Sequence, residues 1–304
     1  MQQPQNSKHY LSGLIFASVS YITWGIFPLY WKMLAHVPSE QILAHRIIWS
    51  FFFLLLLLVW RKDQTVLKYL RQPRILGILT LTSVLVGSNW FVYIYAINHD
   101  HIIDASLGYY INPLVNVLLG MLFLKERLSR IQAIAVAFAL AGVAWLTFHF
   151  GKVPYISLYL GFSFGLYALL RKKANLQSMP GLMIETLLLA PAALWFLWHV
   201  NQQGTGAFAH YSLLTDALLI MGGPATALPL FWFGIAATRI PLSTMGFIKY
   251  LSPTFQLLIG LLIYHEPFNT TYLISFGLVW IGLAIYSYSI VRGMRKKKST
   301  LVLE

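Results

Sequence analysis

Cysteine is absent and charge is scarce: of 304 residues, 10% are Asp, Glu, Lys or Arg, against about 25% in an ordinary soluble domain. Without cysteine there are no disulfides, thiolate metal sites or cysteine nucleophiles, and the redox compartment is left undetermined. The sequence also lacks a Walker loop, a Gly-x-Ser-x-Gly elbow and a dinucleotide fingerprint, so ATP-driven pumping and familiar hydrolase chemistry have no support. What remains is 58% hydrophobic, too much for a water-soluble globule.

A bilayer span takes roughly 20 apolar residues. Apolar runs fall at 11–31, 40–60, 75–97, 103–124, 130–149, 154–171, 180–200, 213–237, 242–264 and 271–291, which predicts an all-α integral membrane protein with ten transmembrane helices. The first run follows Lys8 and contains no Ala-x-Ala cleavage pattern, so it reads as a retained helix.

Basic residues give the expected orientation. With both termini in the cytoplasm, 18 of the 22 Lys and Arg fall on cytoplasmic segments, Lys32 and Lys152 lie outside, and Arg46 and Lys249 fall within spans. The net charge of +13 is therefore a topology signal with added attraction to anionic lipid heads, and no nucleic acid partner is expected. Trp24, Trp31, Trp49 and Trp60, near span ends, read as interfacial anchors.

Sliding the chain against itself by 140 residues aligns Gly25 with Gly165, Lys32 with Lys172, Tyr110 with Tyr250, Pro113 with Pro253, Gly120 with Gly260, Glu126 with Glu266 and Gly142 with Gly282. Between 104 and 144, nine of 41 aligned pairs are identical. Five helices per half is an odd number, so the second half enters the membrane from the opposite face, the inverted repeat of many secondary carriers. The plainer alternative is two similar helix sets left by an old duplication. The same offset puts Asn112-Pro113 and Ser252-Pro253 mid-span, each with a tyrosine three residues before the proline. Either these are broken helices lining a cavity, because a proline frees a carbonyl that must find a partner in hydrocarbon, or they are ordinary kinks.

Arg46, Glu185 and Lys249 lie inside spans and Asp104 just inside the outer end of helix four. A central charge costs at least ~2.5 to 3.5 kcal/mol, so each needs a partner or water. Depth matching at about 1.5 Å per residue pairs Arg46 with Asp104 on the outside and Glu185 with Lys249 on the inside, as two gates around a midplane pocket. Snorkelling toward the nearest interface is the alternative for Lys249, and Glu185 has a second candidate role as proton carrier. Tyr110, Asn112, Tyr250 and Ser252 are the candidate substrate-binding residues, with Arg46 and Lys249 attracting any anionic group. Asn89, Trp90, Tyr93 and Trp24 are candidates for stacking on an amphipathic solute, with lipid-facing packing as the other reading.

His99, Asp100, His101 and Asp104 resemble metal ligands, but adjacent residues on a short loop diverge and the usual His-x-x-x-His spacing is missing. An intramembrane metal-dependent enzyme using His99, His101 and Asp104 is the competing function. The main reading is a non-enzymatic permease without cofactor.

The stretches 40–50, Asn89-Trp90, 105–113, 123–127, 171–173 and 238–244 resemble the EamA division of the drug/metabolite transporter superfamily over nearly the whole chain. Asp104 stands where that family leads one to expect glutamate, and Lys249 where it leads one to expect glutamine. The resemblance implies two EamA repeats, over 11–149 and 150–291, between a cytoplasmic N-terminus at 1–10 and a basic cytoplasmic tail at 292–304. It also implies a multi-pass protein of the bacterial inner (plasma) membrane, working by alternating access on a small amphipathic or drug-like solute, related to chloramphenicol by a name carried within the family. The implied partners are a small-molecule substrate and the lipid bilayer, and a homodimer is a compatible assembly.

Overall fold

A computed structural model describes residues 7–124, 129–240 and 242–300, with the side chains of 7, 8, 124, 242, 243, 247 and 290–300 excluded. Lys125, Glu126 and Arg127, which carry part of the repeat and of the resemblance, lie outside the described residues, as do most of the expected N-terminal segment and the last four residues.

Every regular element among the described residues is helical: α1 Ser7–Lys32, α2 Ser39–Trp60, α3 Thr65–Leu70, α4 Pro73–Asn98, α5 Ile102–Leu124, α6 Arg130–Phe150, α7 Tyr155–Lys173, α8 Ser178–Gln202, α9 Leu213–Ala237, α10 Leu242–Ile248, α11 Leu251–Leu262 and α12 Thr270–Thr300. Among the described residues nine helical stretches are long and apolar enough to cross a membrane, one of them running from Thr244 to Leu262 through the α10–α11 junction. The remaining expected span corresponds to α7, which is 19 residues long and ends on Arg171, Lys172 and Lys173. It nevertheless packs inside the bundle, against α5 and α4. Large apolar side chains such as Leu56, Trp60, Phe148, Trp195 and Leu213 are exposed, as expected where lipid is the solvent.

Of the two readings open for the proline segments, each half takes a different one. Pro113 does not break its helix, since α5 is continuous through it. In the second half the helix does break, at Lys249-Tyr250, where Pro253 leaves the carbonyl four residues before it without its helical donor. The short helix α3 and the continuation of α12 to Thr300 were not anticipated.

Glycines set the closest helix crossings, and several recur at the 140-residue offset. A Cβ added at Gly142 on α6 would meet the Ser275 carbonyl at 2.8 Å and then Val279 and Leu278 on α12. One added at Gly282 on α12 would meet the Ala135 carbonyl at 2.7 Å and then Phe138 and Ala139 on α6. Residues 275, 278 and 279 are 135, 138 and 139 shifted by 140. Likewise Gly25 on α1 is pressed against Phe255 of α11, while Gly165 on α7 is pressed against Val115 of α5. The neighbour map follows suit: α1 packs on α9 and α11, and α7 on α4 and α5.

Candidate functional site

The interior holds three separate polar centres, and their partners differ from those that depth matching predicts. Glu185, on α8, is fully buried. Its carboxylate accepts from Thr82 Oγ1 on α4 at 2.6 Å, from the Tyr167 hydroxyl on α7 at 3.1 Å, and from Arg171 Nη1 at 3.0 and 3.1 Å. Arg171 Nη2 also donates to the carbonyls of Gln177 and Ser178, so one guanidinium fastens the α7–α8 turn and the carboxylate together. Gly181 leaves room for it, since a Cβ there would lie 2.5 Å from Nη2. The expected Glu185–Lys249 pair is thus replaced by Glu185–Arg171. Arg171 reads from sequence as one of the cytoplasmic flank, yet its long side chain turns back into the bundle.

Lys249 sits at the α10–α11 break and donates from Nζ to Asn112 Oδ1 at 2.8 Å. Asn112, fully buried beside Pro113, spends its amide on the Gly161 carbonyl of α7 at 3.0 Å. One turn away the Tyr110 hydroxyl meets Thr254 Oγ1 at 2.6 Å, and the Tyr110 and Tyr250 rings stack with centroids 6.4 Å apart. The Ser252 hydroxyl accepts from Gln256 Nε2 at 3.3 Å. Tyr110, Asn112, Lys249 and Tyr250 thus meet between α5 and the broken helix, whereas Ser252 lies against Gly25 of α1.

Arg46, on α2, is buried and does not meet Asp104. Its guanidinium lies over the Trp90 ring at 4.0 Å and the Trp31 ring at 5.0 Å, and Nε donates to Thr226 Oγ1 on α9 at 2.9 Å. Nη1 is buried and has no acceptor among the described residues. Trp31, read from sequence as an interfacial anchor, is instead a core residue at 1% exposure. Trp60 is exposed, at 78%. Asn89, one residue from Trp90, donates to Ser163 Oγ and the Leu160 carbonyl, tying α4 to α7.

Asp104 bonds His101 Nδ1 at 3.0 Å and the Tyr272 hydroxyl at 3.1 Å. The Asp104 hydrogen bond raises the pKa of His101 above its ordinary value, against a smaller opposing effect of burial. Nearby, Glu266 accepts from the amides of Ile102 and Ile103 at 2.7 and 2.9 Å, capping α5 from a distant loop. Its repeat counterpart Glu126 lies outside the described residues.

His99 turns away, stacking on Tyr95 and bonding that residue's carbonyl, so His99, His101 and Asp104 do not converge. Among the described residues no group of three His, Asp or Glu side chains is placed to hold a metal.

A crevice of about 670 Å³ opens at the Lys32 end of the bundle, lined by Met33, His36, Tyr211, Thr215 and Leu218 among others. The Tyr30 hydroxyl donates to the Leu218 carbonyl at its base. One turn deeper on α9, Gly222 faces Tyr30, Trp31 and the backbone of Arg46.

Apolar helices of spanning length around sealed polar centres define a multi-pass membrane protein, and comparison with known proteins makes it a membrane transporter. The EamA-like transporter family matches residues 11–148. The chain is 45% identical to "Uncharacterized transporter YojE" of Bacillus subtilis (strain 168), over 98% of this chain and 100% of that protein. It is 41% identical to "Protein RarD" of Salmonella typhi, over 96% of this chain and 100% of the relative. A solved crystal structure shares the fold at a TM-score of 0.58 and 18% identity, covering 94% of this chain and 99% of that one. The chain belongs to the EamA-like transporter family, among relatives that include proteins named RarD.

Proposed function

We propose that this protein is a secondary carrier of the bacterial inner membrane that moves a small amphipathic metabolite or drug-like solute by alternating access. In this reading ten spans form two inverted five-helix repeats, over 11–149 and 150–291, and both termini face the cytoplasm. The observation that carries it is the reciprocal crossing of α6 and α12, where Gly142 and Gly282 each meet the same three repeat positions of the other helix. A two-fold axis in the membrane plane makes such contacts reciprocal, and exchange of conformation between the halves then turns one open face into the other. An old duplication without transport leaves the helix break at Lys249 and the sealed charges unaccounted for.

The α5–α11 interface supplies the binding groups Tyr110, Asn112 and Tyr250, with Lys249 at the break and Ser252 on the α1 side of α11, while Arg46, Asn89 and Trp90 line the first-half side. Asp104 with His101 and Tyr272 forms the outer latch, and Glu185 with Arg171 and Thr82 the inner one. Opening toward the cytoplasm separates α4 from α7 and α8 and so must release the Glu185–Thr82 bond. Protonation of Glu185 is one way to release it, which makes this carboxylate the candidate coupling group.

Transport of a metabolite panel that includes chloramphenicol, into proteoliposomes with and without a pH gradient, tests the reading. Saturable uptake of one solute supports the carrier, and dependence on the gradient supports Glu185 coupling. Uptake that ignores the gradient removes the coupling role and leaves facilitated diffusion. No saturable uptake of any solute contradicts the carrier.

A further inference from the structure

Buried hydrogen-bond donors without acceptors gather around Arg46. Besides its own Nη1, the Trp31 and Trp49 indole N–H groups, the Ser50 hydroxyl and the Tyr93 hydroxyl are buried and without partners among the described residues. Residues 46, 49 and 50 share one face of α2 at helical spacing. Trp31 lies against the Arg46 guanidinium from α1, and Tyr93 stands on α4 one turn from Trp90, whereas the Trp49 ring lies against Phe52 and Phe208. Three of these groups are N–H donors that can only donate, and the two hydroxyls can donate as well. A buried donor left unpaired is expensive, and a buried cation more so, which is why such groups are normally matched. Three of the five can only donate and one of these is a cation, so the complement is an acceptor-rich, negatively charged group. A guanidinium offers a fork that fits a carboxylate better than a point charge does.

The surrounding surface is flat and aromatic. The guanidinium lies over two indoles, the Tyr93 and Tyr109 rings meet edge to face at 5.7 Å, and Tyr109 in turn meets Phe164 at 6.4 Å. Gly222 adds no side chain, its missing Cβ having nothing nearer than 3.7 Å. The crevice at the Lys32 end is lined by Leu218, whose carbonyl accepts from Tyr30 and which stands one helical turn from Gly222. Arg171 is balanced by Glu185, whereas Arg46 in the first half and Lys249 in the second have no carboxylate partner among the described residues.

We propose that the transported solute is an organic anion with a flat apolar body, its carboxylate or equivalent acid group held by Arg46 and its ring against Trp31, Trp90 and Tyr93. The proposal rests on the carrier reading and names the class of its substrate. The solute enters from the crevice when Tyr30 releases Leu218, and its charge supplies what the Arg46 cluster lacks.

The test uses the full chain in lipid nanodiscs and two probes of one shape, benzoate and its uncharged counterpart benzamide, with binding followed by titration calorimetry. Benzoate is expected to bind about tenfold tighter or more, the worth of one charge-assisted hydrogen bond pair. Arg46→Gln should erase that preference, and Arg46→Lys should retain part of it. Equal binding of the two probes, no binding of either, or a preference that survives Arg46→Gln overturns the proposal. Acetate competing as well as benzoate overturns the requirement for a flat body. The unmodified protein decides the first comparison even if a variant fails to fold. Counterflow in proteoliposomes separates this inference from the reading beneath it. Exchange of neutral or cationic solutes alone keeps the carrier and discards the anion, whereas exchange of none discards the carrier.

Discussion

Arg171 Nη1 meets both carboxylate oxygens of Glu185, at 3.0 and 3.1 Å, in a site with almost no access to solvent. This buried ion pair is the only one among the described residues that joins two expected spans, and Thr82 extends it to a third helix. Removing one partner of such a pair costs far more than removing both, because the survivor is a buried, uncompensated charge.

Glu185→Ala is therefore expected to destabilise the protein by about 3 to 5 kcal/mol, by stranding Arg171. The double change Arg171→Met with Glu185→Leu should recover most of that loss in thermal unfolding of the detergent-solubilised chain. If the inner latch also serves transport, the double variant folds and carries nothing. A fully active double variant assigns the pair to folding alone.

At the α6–α12 crossing, Gly142→Val and Gly282→Val should each cost about 1 to 3 kcal/mol by overpacking. The two costs should match, since each glycine meets a backbone carbonyl and the same pair of flanking repeat positions. Gly77→Ala, on α4 with nothing within 4 Å of the new Cβ, is the control and should stabilise slightly. Strongly unequal effects of the two valines would count against a symmetric crossing.

The neighbouring glycines of α9 should behave differently from one another. A Cβ at Gly223 would overlap the Trp49 carbonyl, whereas one at Gly222 stays 3.7 Å or more from every neighbour. Gly223→Ala is expected to lower the unfolding temperature and Gly222→Ala to leave it unchanged. Gly222→Ala should still weaken solute binding beside Arg46. Equal unfolding temperatures for the two variants would contradict the packing of α9 on α2.

The outer latch should show in the pH dependence of stability. The hydrogen bond to Asp104 raises the pKa of His101 above its ordinary 6.5. The stabilisation is then fully present below 6.5 and is lost as pH rises through the raised folded-state value. Wild-type protein should lose thermal stability between about pH 6 and 8, and Asp104→Asn should lose less across the same window. Identical pH profiles would remove the pair from the account.

Much of this was legible in the sequence, for identifiable reasons. Apolar runs locate long helices because lipid demands them, and the ends of α2, α6 and α9 fall within a residue or so of the reading. Helix α3 was missed, being six residues long and too polar to register as a span. Proline marked both segments without deciding between them, because Pro113 is absorbed within α5 whereas the helix breaks four residues before Pro253. Charge pairing by depth failed because it measured backbone height and ignored side-chain reach. Arg171 stands three residues before the turn at 174–177 and Glu185 eight after it, a difference in height that the long arginine side chain closes. The aromatic bed of Arg46 needed three helices at once, and no spacing along one segment reveals it.

Sidedness of the core is the most direct check on alternating access, and the absence of native cysteine makes it clean. A single cysteine at Ser252, beside the helix break, is exposed to a membrane-impermeant maleimide in sealed right-side-out and inside-out vesicles. Labelling from both faces, in vesicles whose lumen stays closed to the same reagent, is the predicted result. Labelling from one face only, or from neither, would contradict a carrier that opens its centre to each side in turn.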